Sequence, residues 1–234
     1  MTKDEFIQEL AKLNIMVTDQ QLAQFEKYYE LLVEWNNKIN LTAITSKEDV
    51  YEKHFFDSLL TAKALNLSTQ TICDVGAGAG FPSVPLKIVF PNLDITIVDS
   101  LEKRIKFLNV LAKELDLINF KALALRAEDH AQDHRESYDV VLSRAVARLN
   151  ILAELCLPLV KVDGYFIALK GKQALEENDE ACQGIQKLGA KLISKDKYQL
   201  LSDSSTRYLL KYQKIEKTKE KYPRNFSQIK KKPL

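Results

Sequence analysis

The sequence predicts an α/β fold of Rossmann-like type. It is a mostly parallel seven-stranded sheet with its last strands antiparallel, helices on both faces and a helical extension at the N-terminus. Three observations lead there. From residue 71 onward, short apolar runs alternate with amphipathic segments, the pattern of repeated βα units. The first of those runs ends on a glycine turn, "DVGAGAGFP", Asp74 to Pro82. Before residue 66 the apolar residues recur only at helical spacing.

Taken in order, the first 65 residues read as a helical cap. "MTKDEFIQEL" is acidic and amphipathic. Thr18 and Gln21 form a capping box at a helix start. Leu22, Phe25, Tyr29, Leu32, Trp35 and Ile39 then make one apolar stripe, read as core. A second helix is expected over 47–65, and "NLSTQT" at 66–71 is a linker. "TICDV" is the first strand. "PSVPLKIVF" is a helix stopped by Pro91. Pro82 and Pro85 fit only near its first turn, where no intrahelical N–H is required. "DITIVD" at 94–99 is the second strand, and "LEKRIKFLNVLAKELDL" the helix after it. "FKALALR" at 120–126, "YDVVLSRA" at 138–145 and "GYFIALKG" at 164–171 are further strands. "NILAELCLPLV" is a helix between the last two. "KLISKDKYQLL" and "RYLLKYQKI" close the sheet as a pair. The expected division is a cap at 1–65, an α/β domain at 66–214 and a basic tail at 215–234.

Composition excludes several classes. Hydrophobic residues are 46% and charged residues 28% of 234, as in ordinary globular proteins. No apolar run approaches the roughly 18 residues that span a bilayer, and the N-terminus lacks the apolar core of a signal peptide. Cys73, Cys156 and Cys182 are odd in number and form no CxxC pair. Neither a disulfide framework nor a metal site is expected, and a reducing cytosol fits. Charge is uneven. Residues 1–70 carry seven lysines against eleven acidic residues, a net of −4. Residues 211–234 carry nine basic residues against two glutamates, a net of +7. Such a tail reads either as an arm for a polyanion or as a solvated terminus.

The glycine turn narrows the ligand. A P-loop is excluded, because no Gly-Lys-Ser/Thr follows. The dinucleotide fingerprint G-x-G-x-x-G places its third glycine later than Gly76-Ala77-Gly78-Ala79-Gly80 does, and does not ask for Asp74. D-x-G-x-G-x-G after a first strand points instead to S-adenosylmethionine. The glycines let the backbone pass close to its methionine and ribose parts, and helix N–H groups at 82–90 favour its carboxylate. Asp99 ends the second strand, 23 residues after Gly76, where a carboxylate accepts both ribose hydroxyls; capping of the next helix is the alternative. Ala127 and Glu128, in "LRAEDH", lie where a loop would cover the adenine, or where a plain solvated turn would sit.

The acceptor is approached by elimination. The fourth strand ends in "SRAVARLN" and carries no Asn/Asp-Pro-Pro-aromatic clamp for an exocyclic amine. Cytosine C5 chemistry needs a thiolate, whereas Cys73 lies in a strand and Cys156 in a helix, both expected buried and inert. Guanine N7 needs neither device. Its lone pair attacks a methyl directly, so catalysis reduces to positioning and electrostatics. Arg144, Arg148 and Lys170 are the candidate cations for guanine or phosphate, with surface salt bridges the plainer alternative.

"NLTAIT", "HFFDSL", "DVGAGAGFPSVPLKI", "DSLEKRIKFL", "SRAVARL" and "ALKG" occur in an order that resembles the ribosomal RNA small subunit methyltransferase G family, also called glucose-inhibited division protein B. The resemblance runs from about residue 25 to 212, and "YPRNFSQIKKKPL" is similar to the tail of some members. It implies a class I S-adenosylmethionine-dependent methyltransferase, bacterial and cytoplasmic. The implied reaction methylates N7 of one guanine in the 530 loop of 16S rRNA, near the decoding site of the 30S subunit, and a monomer is expected. By position it carries cofactor contacts onto Gly76, Phe81, Ala127, Glu128 and Arg144, with Asp99, Ser100 and Leu101 a further stretch. Asp74, Gly78 and Gly80 complete the turn. His54 and Asp57 match an "HxxDS" signature whose i, i+3 spacing puts both on one helix face, toward the site or as a structural pair. Ser83 stands where many members have glycine. Arg224, Lys230, Lys231 and Lys232 are the expected RNA contacts of the tail. Two other readings stay open. One is a non-catalytic ribosome-binding factor, which the intact glycines and Asp99 disfavour. The other is a nicotinamide oxidoreductase, which the early third glycine disfavours.

Overall fold

The computed structural model describes residues 1–144 and 147–234. Ala145 and Val146, in the middle of "SRAVARL" and at the end of the expected fourth strand, lie outside the described residues.

The cap is built as its sequence dictates. α1 (Lys3–Lys12) and α2 (Asp19–Ile39) both start on capping boxes, Thr2 with Glu5 and Thr18 with Gln21. Each box satisfies two N–H groups that a helix start would otherwise leave open. The expected helix at 47–65 is not uniform. α3 (Lys47–Val50) passes into a π-helical turn (Tyr51–Phe56), then α4 (Asp57–Leu59) and a 3-10 turn (Leu60–Lys63). A π turn inserts a residue and re-aims the side chains within and after it, here those of His54 and Asp57.

The sheet runs β1 (Thr71–Val75), α5 (Ser83–Val89), β2 (Asp94–Asp99), α6 (Glu102–Glu114), β3 (Phe120–Ala124), α7 (Ala127–Asp133), β4 (Tyr138–Arg144), α8 (Leu149–Cys156), β5 (Val160–Lys170), α9 (Ala174–Lys187), β6 (Ala190–Gln199) and β7 (Thr206–Lys214). Strand order is β3-β2-β1-β4-β5-β7-β6, with β7 antiparallel to both β5 and β6. The order reverses between β1 and β4, so their carboxyl ends open a crevice at the switch point.

Two helices were not expected. α7 begins at Ala127, so Ala127 and Glu128 open a helix rather than a loop. α9 buries Ala174, Asn178, Ala181 and Gly184, small or polar residues, with Ile185 the one large apolar side chain among them, so little apolar periodicity is left to read. The tail also differs from a free arm. α10 (Phe226–Lys231) buries Ile229 completely, and Leu234 lies so close to Gly184 that a Cβ there would stand 2.8 Å away.

Two apolar clusters flank the sheet. One joins Phe6, Phe25, Tyr28 and Phe55 of the cap to Ile72, Ile95 and Ile97 of the strands, so cap and sheet share a core. The other packs α8, α9 and the tail on the opposite face, around Phe166, Leu210 and Tyr212.

Candidate functional site

The glycine turn is held from three sides. The Gly76 N–H donates to the Val98 carbonyl at 2.8 Å, tying the end of β1 to β2. Gly78 donates its N–H to Asp99 Oδ2 at 3.2 Å. The Tyr28 hydroxyl, from α2, donates to the Ala79 carbonyl at 2.6 Å. Gly76, Gly78 and Gly80 all have positive φ, 75°, 62° and 102°, a conformation that residues with a Cβ adopt only at a cost. The cap therefore shapes the turn directly, which no local reading of the turn reveals.

Asp74 sits below, fully buried. Its Oδ2 accepts the Ser83 N–H at 3.1 Å, bracing β1 against the first turn of α5. This uses one of the helix N–H groups expected to face a ligand. Among the described residues, Asp74 Oδ1 and Ser83 Oγ have no hydrogen-bond partner. Burial pushes the Asp74 carboxyl up to about 7, against the opposing pull of Ser83 and Arg144.

Above the turn stands an aromatic and ionic stack. Phe81 lies between Tyr28 (ring centroids 5.4 Å apart) and His54 (4.4 Å), with the Arg144 guanidinium 4.9 Å from its centroid. Arg144 donates to Asp57 Oδ2 at 3.0 Å and lies 3.2 Å from His54 Nδ1. His54 Nε2 meets the Thr42 hydroxyl at 2.8 Å. Burial, with Arg144 adding to it, pushes His54 down to about 3, so the ring is neutral at physiological pH. Burial raises the Asp57 carboxyl, while Arg144 and Arg207 pull it back. His54 and Asp57 are thus brought together on Arg144.

Two cavities meet at the turn, sharing Gly76 and Arg104. The first, about 300 Å³, is lined by Thr42, His54, Gly78, Phe81 and Arg144 among others. The second, about 210 Å³, runs past Asp99, Ser100, Ala127, Glu128 and Phe226. A Cβ built on Gly78 would meet none of the described residues within 4 Å, so space lies open above the turn. Asp99 is nearly buried. Its Oδ1 accepts from the Leu101 N–H at 2.9 Å, and its Oδ2 accepts from Arg104 at 3.0 Å besides Gly78. Arg104, one-third exposed, is the partner a ligand can displace. The arrangement fits an elongated ligand with a diol at Asp99, a flat ring beyond it beside Ala127 and Glu128, and a charged end at the turn. Leu101 itself turns outward, 42% exposed. Arg104 and Phe226 join the residues expected from the sequence. Arg104 had a faint signal, one turn into the helix after Asp99; Phe226 had none.

Of the expected cations, Arg144 stands in the site, while Lys170, Arg148 and Arg224 are paired with carboxylates. Lys170 Nζ sits 2.8 Å from Glu177 and also reaches the Ala147 carbonyl. Arg148 meets Glu180 at 2.6 Å. Both carboxylates come from α9. Arg224 is drawn inward, with Nε and a terminal nitrogen on the fully buried Glu154 at 2.8 and 2.6 Å and its own N–H on the same carboxylate. A buried carboxylate needs such donors, which is why this residue faces α8 rather than solvent. Lys230, Lys231 and Lys232 stay exposed.

The family described as rRNA small subunit methyltransferase G matches residues 21–203. A protein named ribosomal RNA small subunit methyltransferase G from Staphylococcus saprophyticus is 52% identical over 97% of this chain and 96% of its own length. One of the same name from Macrococcus caseolyticus is 51% identical over 100% of this chain and 99% of its own. Among solved structures, TYW2 from M. jannaschii in complex with AdoMet superposes with a TM-score of 0.52 at 14% identity, over 68% of this chain and 77% of that one. TrmN from Thermus thermophilus does so at 0.54 and 14%, over 70% and 53%. At such identities the likeness is one of fold.

Proposed function

The chain belongs to the ribosomal RNA small subunit methyltransferase G family, and on that premise we propose that it transfers a methyl group from S-adenosylmethionine to N7 of a guanine in the 530 loop of 16S rRNA. The observation that carries the reading is the pair of cavities joined at the Gly76 turn, with Arg144 on the wall of the first and Asp99 on the wall of the second. When bound, the cofactor supplies an electrophilic methyl group. Asp99 would accept the ribose hydroxyls, Glu128 and the start of α7 would border the adenine, and the turn would hold the methionine end.

No proton leaves N7 when it is methylated, so no base is required. The site suits that. His54 is buried and neutral, and Cys73 and Cys156 are fully buried with their thiols pushed up by burial. Cys182 is exposed on α9. What these residues do is orient: the Tyr28–Phe81–His54 stack and the Asp57–Arg144 pair fix the wall against which the acceptor would come. The proposal includes a monomer working in the cytoplasm on the 30S subunit or its rRNA. Among the described residues no helix is long and apolar enough to cross a membrane.

The test is chemical. N7 methylation places positive charge on the imidazole ring, so borohydride and aniline should cleave wild-type 16S rRNA at one guanine of the 530 loop. RNA from cells lacking the protein should stay intact there. Equal cleavage in both strains would reject the reaction. The two walls of the nucleoside cavity have their own expected result. Asp99→Ala should weaken S-adenosylmethionine binding by about 1.5–3 kcal/mol, the size of a hydrogen bond to a charged group. Phe226→Ala should weaken it by about 0.5–1.5 kcal/mol, as loss of an aromatic contact. Calorimetry that finds both affinities unchanged would move the nucleoside out of this cavity.

A further inference from the structure

A third cavity, about 320 Å³, opens between the cap and the carboxyl ends of β4 and β5. Its apolar lining comes from Ile44, Leu60, Leu169 and Leu209, with Tyr198 from β6. Tyr198 pairs with Arg207 across the β6–β7 ladder, so both side chains stand on one face of the sheet. His54 and Arg144 line this cavity and also the first cavity at the glycine turn. The two spaces are therefore separated by a single layer of side chains. A methyl group held on one side would face whatever occupies the other.

The polar groups at that layer are specific. Asp57 is 5% exposed and bound to Arg144 at 3.0 Å. Arg207 approaches the other Asp57 oxygen only at 3.5 Å and is 32% exposed, too long for a well-formed N–H···O bond. Its hydrogen bond to the Thr206 carbonyl is 3.3 Å. Arg144 is held by three partners, whereas Arg207 is loosely held and has donors to spare. A flat ring with a carbonyl oxygen and neighbouring N–H donors matches this set: arginine for the carbonyl, carboxylate for the N–H groups, leucines and a tyrosine for the faces. The size is near the small end of ligand pockets, about 300–1,000 Å³, which suits one base and not two.

We propose that this cavity, walled by Tyr198 and Arg207, receives the target guanine after it is turned out of the RNA stack. The inference rests on the methyl-transfer reading above and deepens it. Enzymes that act on a base take it out of its stack and read it with aromatic and polar groups in a pocket. Here Tyr198 supplies an aromatic surface for the base, and Arg207 donates to its carbonyl oxygen or to the adjoining phosphate. Arg144 forms the partition that keeps N7 in line with the methyl group. Lys170 also lines this cavity, its charge paired with Glu177, whereas Arg148 lies outside its lining.

The experiment compares single-turnover methyl transfer to undermethylated 30S particles at saturating S-adenosylmethionine, with cofactor affinity measured on each variant by calorimetry. Tyr198→Ala should lower kcat/KM for RNA by roughly 5- to 150-fold, the usual range for a lost base-stacking contact. Tyr198→Phe should restore most of it. Arg207→Ala should raise the half-saturating RNA concentration, and Arg207→Lys should recover part of it. All four should bind cofactor within twofold of wild type, which also shows that the turn and its cap are intact. A fall in cofactor affinity that parallels the fall in rate would assign the cavity to the cofactor and overturn the proposal. Turnover equal to wild type in Tyr198→Ala and Arg207→Ala would overturn it as well, while leaving the methyl-transfer reading standing. Wild type that neither binds S-adenosylmethionine nor modifies the particle would end both.

Discussion

Arg224→Met is expected to destabilise the protein by about 3–5 kcal/mol, a loss of roughly 6–20 °C in melting temperature for a chain of this size. The reason is Glu154. Its carboxylate is fully buried on α8, and Arg224 supplies three donors to it. Replacing the arginine removes both side-chain donors and leaves the buried charge with only the backbone N–H of residue 224, the costly way to break a buried pair. Removing both groups should be far milder, so Glu154→Leu combined with Arg224→Met should regain most of the lost stability. Urea denaturation of the single and double variants measures this directly. A single variant as stable as wild type would mean that the tail is a solvated arm after all. Because Phe226 lies two residues on and lines the nucleoside cavity, the single variant should also bind S-adenosylmethionine less tightly.

A pair of glycines in one turn should fail in different ways. Gly80→Ala is expected to cost the fold about 3 kcal/mol or more, combining left-handed strain with overpacking. At φ 102° its Cβ would stand 2.7 Å from Val84 Cγ2 and 2.9 Å from the Tyr28 hydroxyl. The Tyr28 hydroxyl anchors the cap to the turn, so its bond to Ala79 would be strained too. Gly78→Ala has φ 62° and no neighbour within 4 Å. It should lose only about 1–2 kcal/mol from backbone strain. Its methyl group would, however, point into open space above the turn, where the cofactor is proposed to lie. Thermal melts and cofactor titrations on the two variants separate the effects. A stable Gly80→Ala protein would contradict the packing of the cap on the turn. A Gly78→Ala protein with full cofactor affinity would place the ligand away from the turn.

By itself the sequence determined the fold class, the strands of the sheet and the glycine turn with Asp99 beside it. These are local matters. A strand, a capping box or a positive-φ turn is specified by residues within a few positions of one another, as with Thr18 and Gln21 or Gly76, Gly78 and Gly80. Only the tertiary structure decided which charges are available to a ligand. Lys170 and Arg148 look like free cations until α9 brings Glu177 and Glu180 against them, and α9 itself is hidden because its buried stripe is small or polar except for Ile185. Arg224 looks like part of an RNA arm until Glu154, 70 residues earlier, claims it. Asp57 and Arg207 are 150 residues apart and still share one cavity wall. Ion pairing acts through space over a few ångströms, and that distance is set by how helices and strands pack, which no spacing along the chain records.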